Sequence, residues 1–260
     1  MTNLPEKPEQ ITFDITDRCQ MQCVTCSKWS TTPADVMSKE LTTDEWKKIL
    51  DDLKNWLGEG YWFCFSGGEP FLRQDIFELA DYAHKLGFKV ASMSNAFSIQ
   101  HLYEKIIDSP IESLNISLNS INNPIIHDES RGRQGSYEKA IDTIMQLKKL
   151  RDEKGSNLGI NIATILFPEN VEEAIPLVEF VTRNKINGIM FQLLDDKESF
   201  QAYCVRSSSK TSSYVMPKEL RLKYKATNTY IKYQLISIHA GKSNVEVLEP
   251  ENDFYYESGE

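Results

Sequence analysis

The sequence has no run of about 18 apolar residues, the length that an α-helix needs to cross a bilayer. Its first ten residues are polar and contain no hydrophobic segment of the kind that a secretory signal carries. We therefore expect neither a membrane-spanning nor an exported protein, and we expect a cytoplasmic one. The sequence also has no internal repeat of the solenoid kind.

Basic residues are in the minority. The chain has 29 Lys and Arg against 38 Asp and Glu, a net charge of −9, which disfavours nonspecific binding to nucleic acid or anionic lipid as the main activity. A local basic patch is still compatible with this total. With 260 residues, of which 40% are hydrophobic, the chain can bury one substantial core, as a single large domain or a domain with an appendage.

Cysteine is scarce outside one short loop. Three of the five cysteines lie within eight residues, as Cys19, Cys23 and Cys26 in a CxxxCxxC pattern. Such a cluster indicates metal or redox chemistry in a reducing compartment rather than a disulfide scaffold. Three thiolates can hold three corners of a metal cluster and leave one metal position open, as a catalytic site requires. The alternative is a structural zinc site, whose next candidate ligands, Cys64 and His84, fall in an apolar strand and on a helix.

Apolar strands alternate with helical segments over about the first 194 residues. Buried strands are predicted at 11–15, 61–65, 89–93, 114–118, 160–166 and 188–193, and helices near 42–57, 75–86, 98–107, 136–153 and 173–184. This alternation predicts an α/β fold with a parallel sheet covered by helices, either an open doubly wound sheet or a barrel. In both, ligands bind at the C-terminal ends of the strands. Beyond Leu194, a polar tract and one helix at 217–238 are predicted.

Residues that favour helix ends mark three of these helices. Thr42 and Glu45 have the spacing of a capping box. Ser136 is predicted to cap the helix at 136–153, and Asn170 to cap the helix at 173–184. Pro176 is expected in the first turn of the helix at 173–184, because a proline deeper in a helix breaks its hydrogen bonds.

The cysteine loop and a second motif together carry a family resemblance. The sequence SGGEP at residues 66–70 follows the second predicted strand, and with CxxxCxxC it resembles the radical S-adenosylmethionine (radical SAM) superfamily. The resemblance covers about residues 10–194 and implies the partial (β/α)6 TIM-like barrel of that family. We therefore expect a radical SAM core at residues 1–194 and a short C-terminal extension at 195–260.

The resemblance implies the ligands of two cofactors. Its three cysteines, Cys19, Cys23 and Cys26, would hold a 4Fe-4S cluster, and S-adenosylmethionine would bind the fourth iron through its amino and carboxylate groups. The positions that match the binding motifs for S-adenosylmethionine are Gly67, Gly68, Glu69, Ser94 and Ser117.

Each of these positions has a physical rationale and a simpler alternative. The glycines let the backbone approach a ligand closely, and Glu69 offers a negative charge to an ammonium and a sulfonium. The hydroxyls of Ser94 and Ser117 are candidates for the methionine or ribose oxygens. The alternatives are a tight turn for the glycines and Glu69, and hydroxyls bonded to the local backbone for the serines.

Other matches and departures concern the surroundings of the site. Residues 127–136 resemble the family's loop before the fourth helix, where Arg131 is a candidate to bind a carboxylate in bidentate fashion or to form a surface salt bridge. Three positions depart from the common pattern: Thr25 replaces an aromatic residue or His, Ala96 replaces Gly, and Asn119 replaces Asp.

The two cysteines outside the loop have simpler interpretations. Cys64 is interpreted as core packing, and Cys204 either as incidental or as part of the substrate mouth. Since Cys204 is the only cysteine after Leu194, no auxiliary cluster of the kind found in many peptide-modifying relatives can be built there. Both a short single-cluster member and a chain that ends before such a domain are compatible with this.

The resemblance implies an enzyme of the oxidoreductase or maturase type. An electron from the reduced cluster would cleave S-adenosylmethionine, and the resulting 5′-deoxyadenosyl radical would abstract hydrogen from an organic substrate, with a peptide as one candidate. An electron donor such as flavodoxin or ferredoxin is implied. Two alternatives stay open: an iron–sulfur electron-transfer or sensing module, and a noncatalytic scaffold.

Overall fold

The structure, a computed structural model, describes residues 7–8, 10–26, 28, 40–167 and 169–193. Strands and helices alternate along this part of the chain, as the sequence predicts. The strands are β1 (Gln10–Thr16), β2 (Trp62–Gly67), β3 (Lys89–Ser94), β4 (Ile111–Ser117), β5 (Gly159–Leu166) and β6 (Gly188–Leu193). The helices are α1 (Thr43–Leu57), α2 (Ile76–Lys85), α3 (Tyr103–Asp108), α4 (Pro124–Arg131), α5 (Ser136–Lys154) and α6 (Ala174–Arg183). None of the described helices is both long and apolar enough to span a membrane.

The six strands form one parallel sheet in the order of the chain. Each strand pairs in parallel with the next, from β1 to β6. Within the described residues β1 and β6 do not pair with each other, so the sheet is curved without closing. The sheet matches a partial TIM-like barrel, which confirms the predicted fold class and brings all six strand C-termini to one edge.

One face of the sheet packs against the helices and holds the main core. Ile15, Phe63, Leu114 and Ile160 are almost completely buried there, together with residues of the helices such as Leu50. Removing these apolar side chains from water is the main stabilising contribution to the fold.

The opposite face of the sheet, called the inner face below, is lined mostly by small and polar side chains. Paired residues on neighbouring strands point to the same side, so the pairs that join Thr12 to Cys64, Asn115 to Asn161, and Ala163 to Met190 lie on this face. The register places on it Gln10, Thr12, Asp14, Trp62, Cys64, Ser66, Lys89, Ala91, Met93, Ser113, Asn115, Ser117, Asn161, Ala163, Ile165, Met190 and Gln192, among which Trp62, Met93, Ile165 and Met190 are the larger apolar residues.

The helix ends confirm two expectations and correct a third. Thr42 and Glu45 form the capping box of α1, and Pro176 lies in the first turn of α6. Ser136, in contrast, is the first residue of α5 rather than its cap. Gly135 occupies the cap position with φ +79°, and the Ser136 hydroxyl donates to Oδ1 of Asp128 at 2.8 Å.

Part of the stretch predicted as a loop at residues 127–136 is helical. Helix α4 begins after Asn123, whose side chain accepts a hydrogen bond from Ile125 N–H, and Pro124 occupies its first turn. Its eight residues are too short for a clear periodic pattern, which explains why the sequence did not reveal it. The helix predicted at 217–238, the polar tract before it and Cys204 lie outside the described residues.

Candidate active site

The end of β2 lies directly against the start of the cysteine loop. The N–H of Gly68 donates to the Thr16 carbonyl and the N–H of Glu69 to the Arg18 carbonyl, both at 2.7 Å. A Cβ on Gly67 would overlap the Thr16 carbonyl oxygen, and one on Gly68 would overlap that of Arg18. Gly67 also has φ +119°, which side chains rarely allow. The two glycines are therefore needed for contact between the two backbones, and contact of this backbone with methionine stays a prediction.

Glu69 is fully buried at the end of β2 and is surrounded by donors. Its carboxylate accepts hydrogen bonds from Asn95 N–H at 2.7 Å, Phe71 N–H at 3.4 Å and the Ser94 hydroxyl at 3.1 and 3.2 Å. Burial raises the pKa of Glu69 to about 7, although these donors and the charge of Arg131 act to lower it. A small change in its surroundings therefore decides whether this carboxylate is charged at neutral pH.

Ser94 is a hydrogen-bond donor to Glu69 in this structure. Its hydroxyl donates to the carboxylate and accepts a hydrogen bond from Ala96 N–H at 3.0 Å. The predicted contact of Ser94 with the methionine or ribose oxygens stays a prediction. Ser117 ends β4, half-buried on the inner face and paired with Ala163.

Asn95 connects the ends of three strands, a role that the sequence alone did not indicate. Its Nδ2 lies 3.5 Å from Sγ of Cys19, while its backbone N–H donates to Glu69. Its Oδ1 accepts hydrogen bonds from Gln20 Nε2 at 3.1 Å and from Phe97 N–H at 3.0 Å. The available signal was the match of Ser94-Asn95-Ala96, directly after a predicted strand, to the family's Thr-Asn-Gly pattern.

The three loop cysteines face the interior to different degrees. Cys23 is buried, Cys19 and Cys26 are half-buried, and none is in a disulfide. Burial raises the pKa of Cys19 to about 11, against the lowering effect of a hydrogen bond from Met21 and the charge of Arg131. A bound metal supplies the positive charge that such a thiol needs in order to ionise. Among the described residues, no three His, Cys, Asp or Glu side chains are grouped closely enough to share one metal ion.

The loop is held at its base and by helix α4. Lys28, two residues after Cys26, forms ion pairs of 2.8 Å with Asp14 and 2.6 Å with Asp17. On the other side, Gln22 N–H donates to the Arg131 carbonyl at 3.2 Å and Val24 N–H to the Ser130 carbonyl at 3.0 Å. The last turn of α4 thus fixes the backbone between the cysteines.

Arg131 supplies a positive charge beside this loop. Its charge lowers the pKa of both Cys19 and Glu69, and its backbone carbonyl accepts the hydrogen bond from Gln22 N–H in the cysteine loop. Its Nε is buried and has no hydrogen-bond partner among the described residues. A buried donor without a partner is costly, and a carboxylate is the ligand that would satisfy it best.

A polar network braces the neighbouring strand ends. Asn119 donates to Ser130 Oγ at 2.9 Å, accepts from Ile165 N–H at 3.2 Å, and uses its own N–H to bind Nδ1 of His127 at 3.0 Å. Asn170, predicted as a helix cap, instead donates from Nδ2 to the carbonyls of Asn119 and Ile165, both at 2.8 Å. It is fully buried and joins β4 to β5, because the strand ends leave carbonyls that need donors.

These residues fit the cofactors that the sequence predicts. The loop offers three sulfur ligands, Glu69 offers a buried negative charge that attracts the amino group of a ligand, and Arg131 offers an unpartnered donor for a carboxylate. The two charged side chains are thus complementary to the amino and carboxylate groups of an amino acid bound beside Cys19. The assignment of individual cluster and ligand contacts stays a prediction.

Comparisons with known proteins agree with this chemistry. A family model described as the radical SAM superfamily matches residues 13–181, more than half of the chain. The AdoMet-dependent heme synthase of Methanosarcina barkeri is 26% identical over 253 residues, which cover 95% of this chain and 69% of that protein. The PqqA peptide cyclase of Bradyrhizobium diazoefficiens is 26% identical over 173 residues, which cover 66% of this chain and 43% of the cyclase.

A solved structure shares the fold. Streptococcus suis SuiB bound to precursor peptide SuiA superposes with a TM-score of 0.62 at 20% identity, covering 88% of this chain and 47% of SuiB. At this identity the likeness shows the fold alone. The chain spans less than half the length of the PqqA peptide cyclase and of SuiB.

Proposed function

This chain belongs to the radical SAM superfamily, and we propose that it is an enzyme that uses a 4Fe-4S cluster and S-adenosylmethionine to abstract a hydrogen atom from a peptide. The observation that carries the proposal is the line of contacts from Glu69 through Asn95 to Cys19. It joins the SGGEP motif to the cysteine loop across the ends of β1, β2 and β3. Neither motif alone would give this arrangement.

The chain's own residues bind and orient the cofactors in this proposal. Cys19, Cys23 and Cys26 would hold three irons of the cluster, the charge of Glu69 would attract the amino group of S-adenosylmethionine, and Arg131 would bind its carboxylate. When bound, the cofactors supply a 5′-deoxyadenosyl radical by reductive cleavage of the sulfonium. The buried position of Glu69 keeps water away from the charged groups and strengthens their interactions.

The inner face supports a peptide as the substrate. Its side chains include Ser113, Asn115, Ser117 and Asn161, whose amides and hydroxyls can both donate and accept hydrogen bonds, as a peptide backbone requires. Asn161 Nδ2 already donates to Ser113 Oγ at 3.0 Å, so this face can keep such groups satisfied. Similarity to the PqqA peptide cyclase agrees with this substrate class.

A tetrapyrrole is a second candidate substrate. The heme synthase match extends over 95% of this chain, further than the match to the peptide cyclase. The amides and hydroxyls of the inner face favour a peptide, whereas Met93, Ile165 and Met190 on the same face are the apolar surface that a tetrapyrrole ring would use. Mass spectrometry after incubation with iron-containing tetrapyrroles, or with peptides encoded beside the gene, would distinguish the two. Only the true substrate should change mass and raise the yield of 5′-deoxyadenosine.

Anaerobic iron reconstitution tests the cofactors. We expect a cluster whose reduced-state electron paramagnetic resonance spectrum changes when S-adenosylmethionine is added, and 5′-deoxyadenosine after reduction by dithionite or by a flavodoxin or ferredoxin, which we propose as the physiological donor. Cys19→Ala should abolish both the cluster and the cleavage. Protein that is iron-free and holds zinc tightly would overturn the proposal.

The buried Cys64 offers a matched control. It is a thiol outside the loop and is 2% exposed, so it is buried as expected, although it lies on the inner face of the sheet. Cys64→Ala should therefore keep its iron and its cleavage of S-adenosylmethionine in the absence of substrate. Equal iron loss from Cys64→Ala and Cys19→Ala would mean that thiol loss acts through folding, and the cysteine loop would lose its assigned role.

A further inference from the structure

We propose that Asn95 tunes the reduction potential of the iron–sulfur cluster by donating a hydrogen bond from its side-chain amide to the sulfur of Cys19, an inference that rests on the proposed function. The two atoms, Asn95 Nδ2 and Cys19 Sγ, are 3.5 Å apart, although the residues are 76 positions apart in the chain. Asn95 is 4% exposed, so water does not compete effectively for the amide. This makes Asn95 a positioning and tuning residue rather than a catalytic one.

The neighbouring contacts fix which end of the amide faces the sulfur. A backbone N–H can only donate, so the atom of Asn95 that meets Phe97 N–H at 3.0 Å must be the carbonyl oxygen Oδ1. The same oxygen accepts a hydrogen bond from Gln20 Nε2 at 3.1 Å, and Gln20 is held in turn by Ser98 at 3.0 Å. The NH2 group is therefore left to point at Cys19.

The backbone of Asn95 is anchored independently of its side chain. Its N–H donates to Oε2 of Glu69 at 2.7 Å, so a substitution at position 95 leaves this contact available. The side chain can thus be changed without removing the donor that Glu69 receives from this residue. This separates an effect on the sulfur from an effect on the carboxylate.

The expected effect has a definite sign. An N–H···S hydrogen bond withdraws electron density from a cluster ligand and stabilises the reduced, more negative state, which raises the reduction potential. Without the amide donor, the cluster should be harder to reduce. Reduction by a donor of fixed potential would then be less complete at equilibrium.

Two variants and a control test the proposal. Asn95→Leu removes the amide without adding charge, and Asn95→Asp keeps the acceptor for Phe97 N–H while replacing the NH2 donor. Gln20→Ala is the control, because it removes one donor to Oδ1 and leaves the amide facing Cys19. Iron content and the midpoint potential, followed by electron paramagnetic resonance in an anaerobic titration without S-adenosylmethionine, are measured for all three and for the wild type.

We expect a more negative midpoint potential in both Asn95 variants at unchanged iron content, and a potential close to wild type in Gln20→Ala. An unchanged potential in Asn95→Leu would overturn the proposal, because Asn95→Asp also adds a negative charge that lowers the potential by itself. Loss of iron from both Asn95 variants while Gln20→Ala stays loaded would overturn it too, since the amide would then be needed for cluster assembly. If only Asn95→Leu fails to assemble a cluster, Asn95→Ala, which also removes the amide without adding charge, takes its place. A wild-type protein without iron would instead contradict the proposed function itself.

Discussion

Glu69 is the buried carboxylate of the site, and its protonation state decides whether the site carries a negative charge there. It is completely buried, and burial raises its pKa to about 7 despite the surrounding hydrogen-bond donors and the nearby Arg131 charge. A protonated Glu69 carries no charge, and a deprotonated one attracts the positive sulfonium and the N–H groups of the amine strongly in a low-dielectric site. Ligand binding at this position should therefore depend on pH near neutrality.

We predict that S-adenosylmethionine binds more tightly as the pH rises through the Glu69 pKa of about 7, because the carboxylate loses its proton there. Glu69→Gln should weaken binding about tenfold or more on the alkaline side of that pKa, as expected for loss of a buried charge that attracts the ligand, and should lose this part of the pH dependence. Equilibrium dialysis with anaerobically reconstituted protein measures both. A Gln variant with the wild-type pH profile would show that another group titrates.

His127 makes the stability of the fold depend on pH. It is fully buried, its Nδ1 accepts from Asn119 N–H, and burial together with the Arg131 charge lowers its pKa to about 3 from an ordinary value of 6.5. The unfolded chain takes up this proton below pH 6.5 while the folded chain does not. As the pH falls from 6.5 towards 3, His127 should therefore lower the free energy of unfolding by about 1.4 kcal/mol per pH unit.

His127→Asn should remove this contribution while keeping an acceptor for Asn119 N–H. Urea unfolding of the metal-free protein at about pH 7.5 and at about pH 5, on either side of the ordinary histidine pKa, measures the difference. We expect the wild type to lose more stability than the variant on acidification. Equal losses would mean that His127 is already protonated in the folded state at the lower pH.

At the scale of elements, the short helix α4 positions the cysteine loop. The carbonyls of its last residues, Ser130 and Arg131, accept hydrogen bonds from the loop, and Gly132 follows with φ +60°. A Cβ at Gly132 would overlap the carbonyl oxygen of Gln22, which lies between two of the cysteines. Helix and loop can therefore approach this closely only through a glycine.

Gly132→Ala should lower the iron content after reconstitution, because the added methyl group pushes the loop away from α4. Gly155→Ala is the matched control, since Gly155 has φ +65° and a Cβ added there would meet no neighbouring atom within 4 Å. Both variants should lose about 1 kcal/mol of stability from the left-handed backbone. Only Gly132→Ala should also lose iron, and equal iron contents in the two would refute the role of this contact.

The strands and helices could largely be predicted from the sequence, whereas the hydrogen bonds that connect them could not. Periodic apolar residues and the capping box at Thr42 define α1 correctly, and the six strands were found within a few residues of their ends. The roles of Asn170 and α4 were missed because they depend on partners that only the folded sheet brings close. Asn170 has the composition of a cap, but the carbonyls of Asn119 and Ile165 compete for its amide.

At the scale of the whole molecule, the parallel sheet explains why motifs distant in the sequence form one site. The cysteine loop, residues 66–70 and residues 94–98 follow consecutive parallel strands, so their meeting was predictable. The atoms that connect them were not, because Asn95 and Cys19 share no sequence pattern. The sequence indicated the edge of the sheet that carries the site, and the structure adds the hydrogen bonds within it.

The same sheet predicts a gradient of protection from hydrogen exchange across the molecule. Strands β3 and β4 have neighbours on both sides and bury Val90, Leu114 and Ile116 completely, whereas β6 pairs only with β5 in the described residues and leaves Met190 50% exposed. Amides of β3 and β4 should therefore exchange slowest, and those of β6 much faster. S-adenosylmethionine should add protection at residues 17–26, 66–70 and 94–98 and leave α6 and β6 unchanged. Hydrogen-exchange mass spectrometry of the anaerobic, reconstituted protein measures both. Ligand protection centred on β6 would contradict a binding site at the C-terminal ends of β1, β2 and β3.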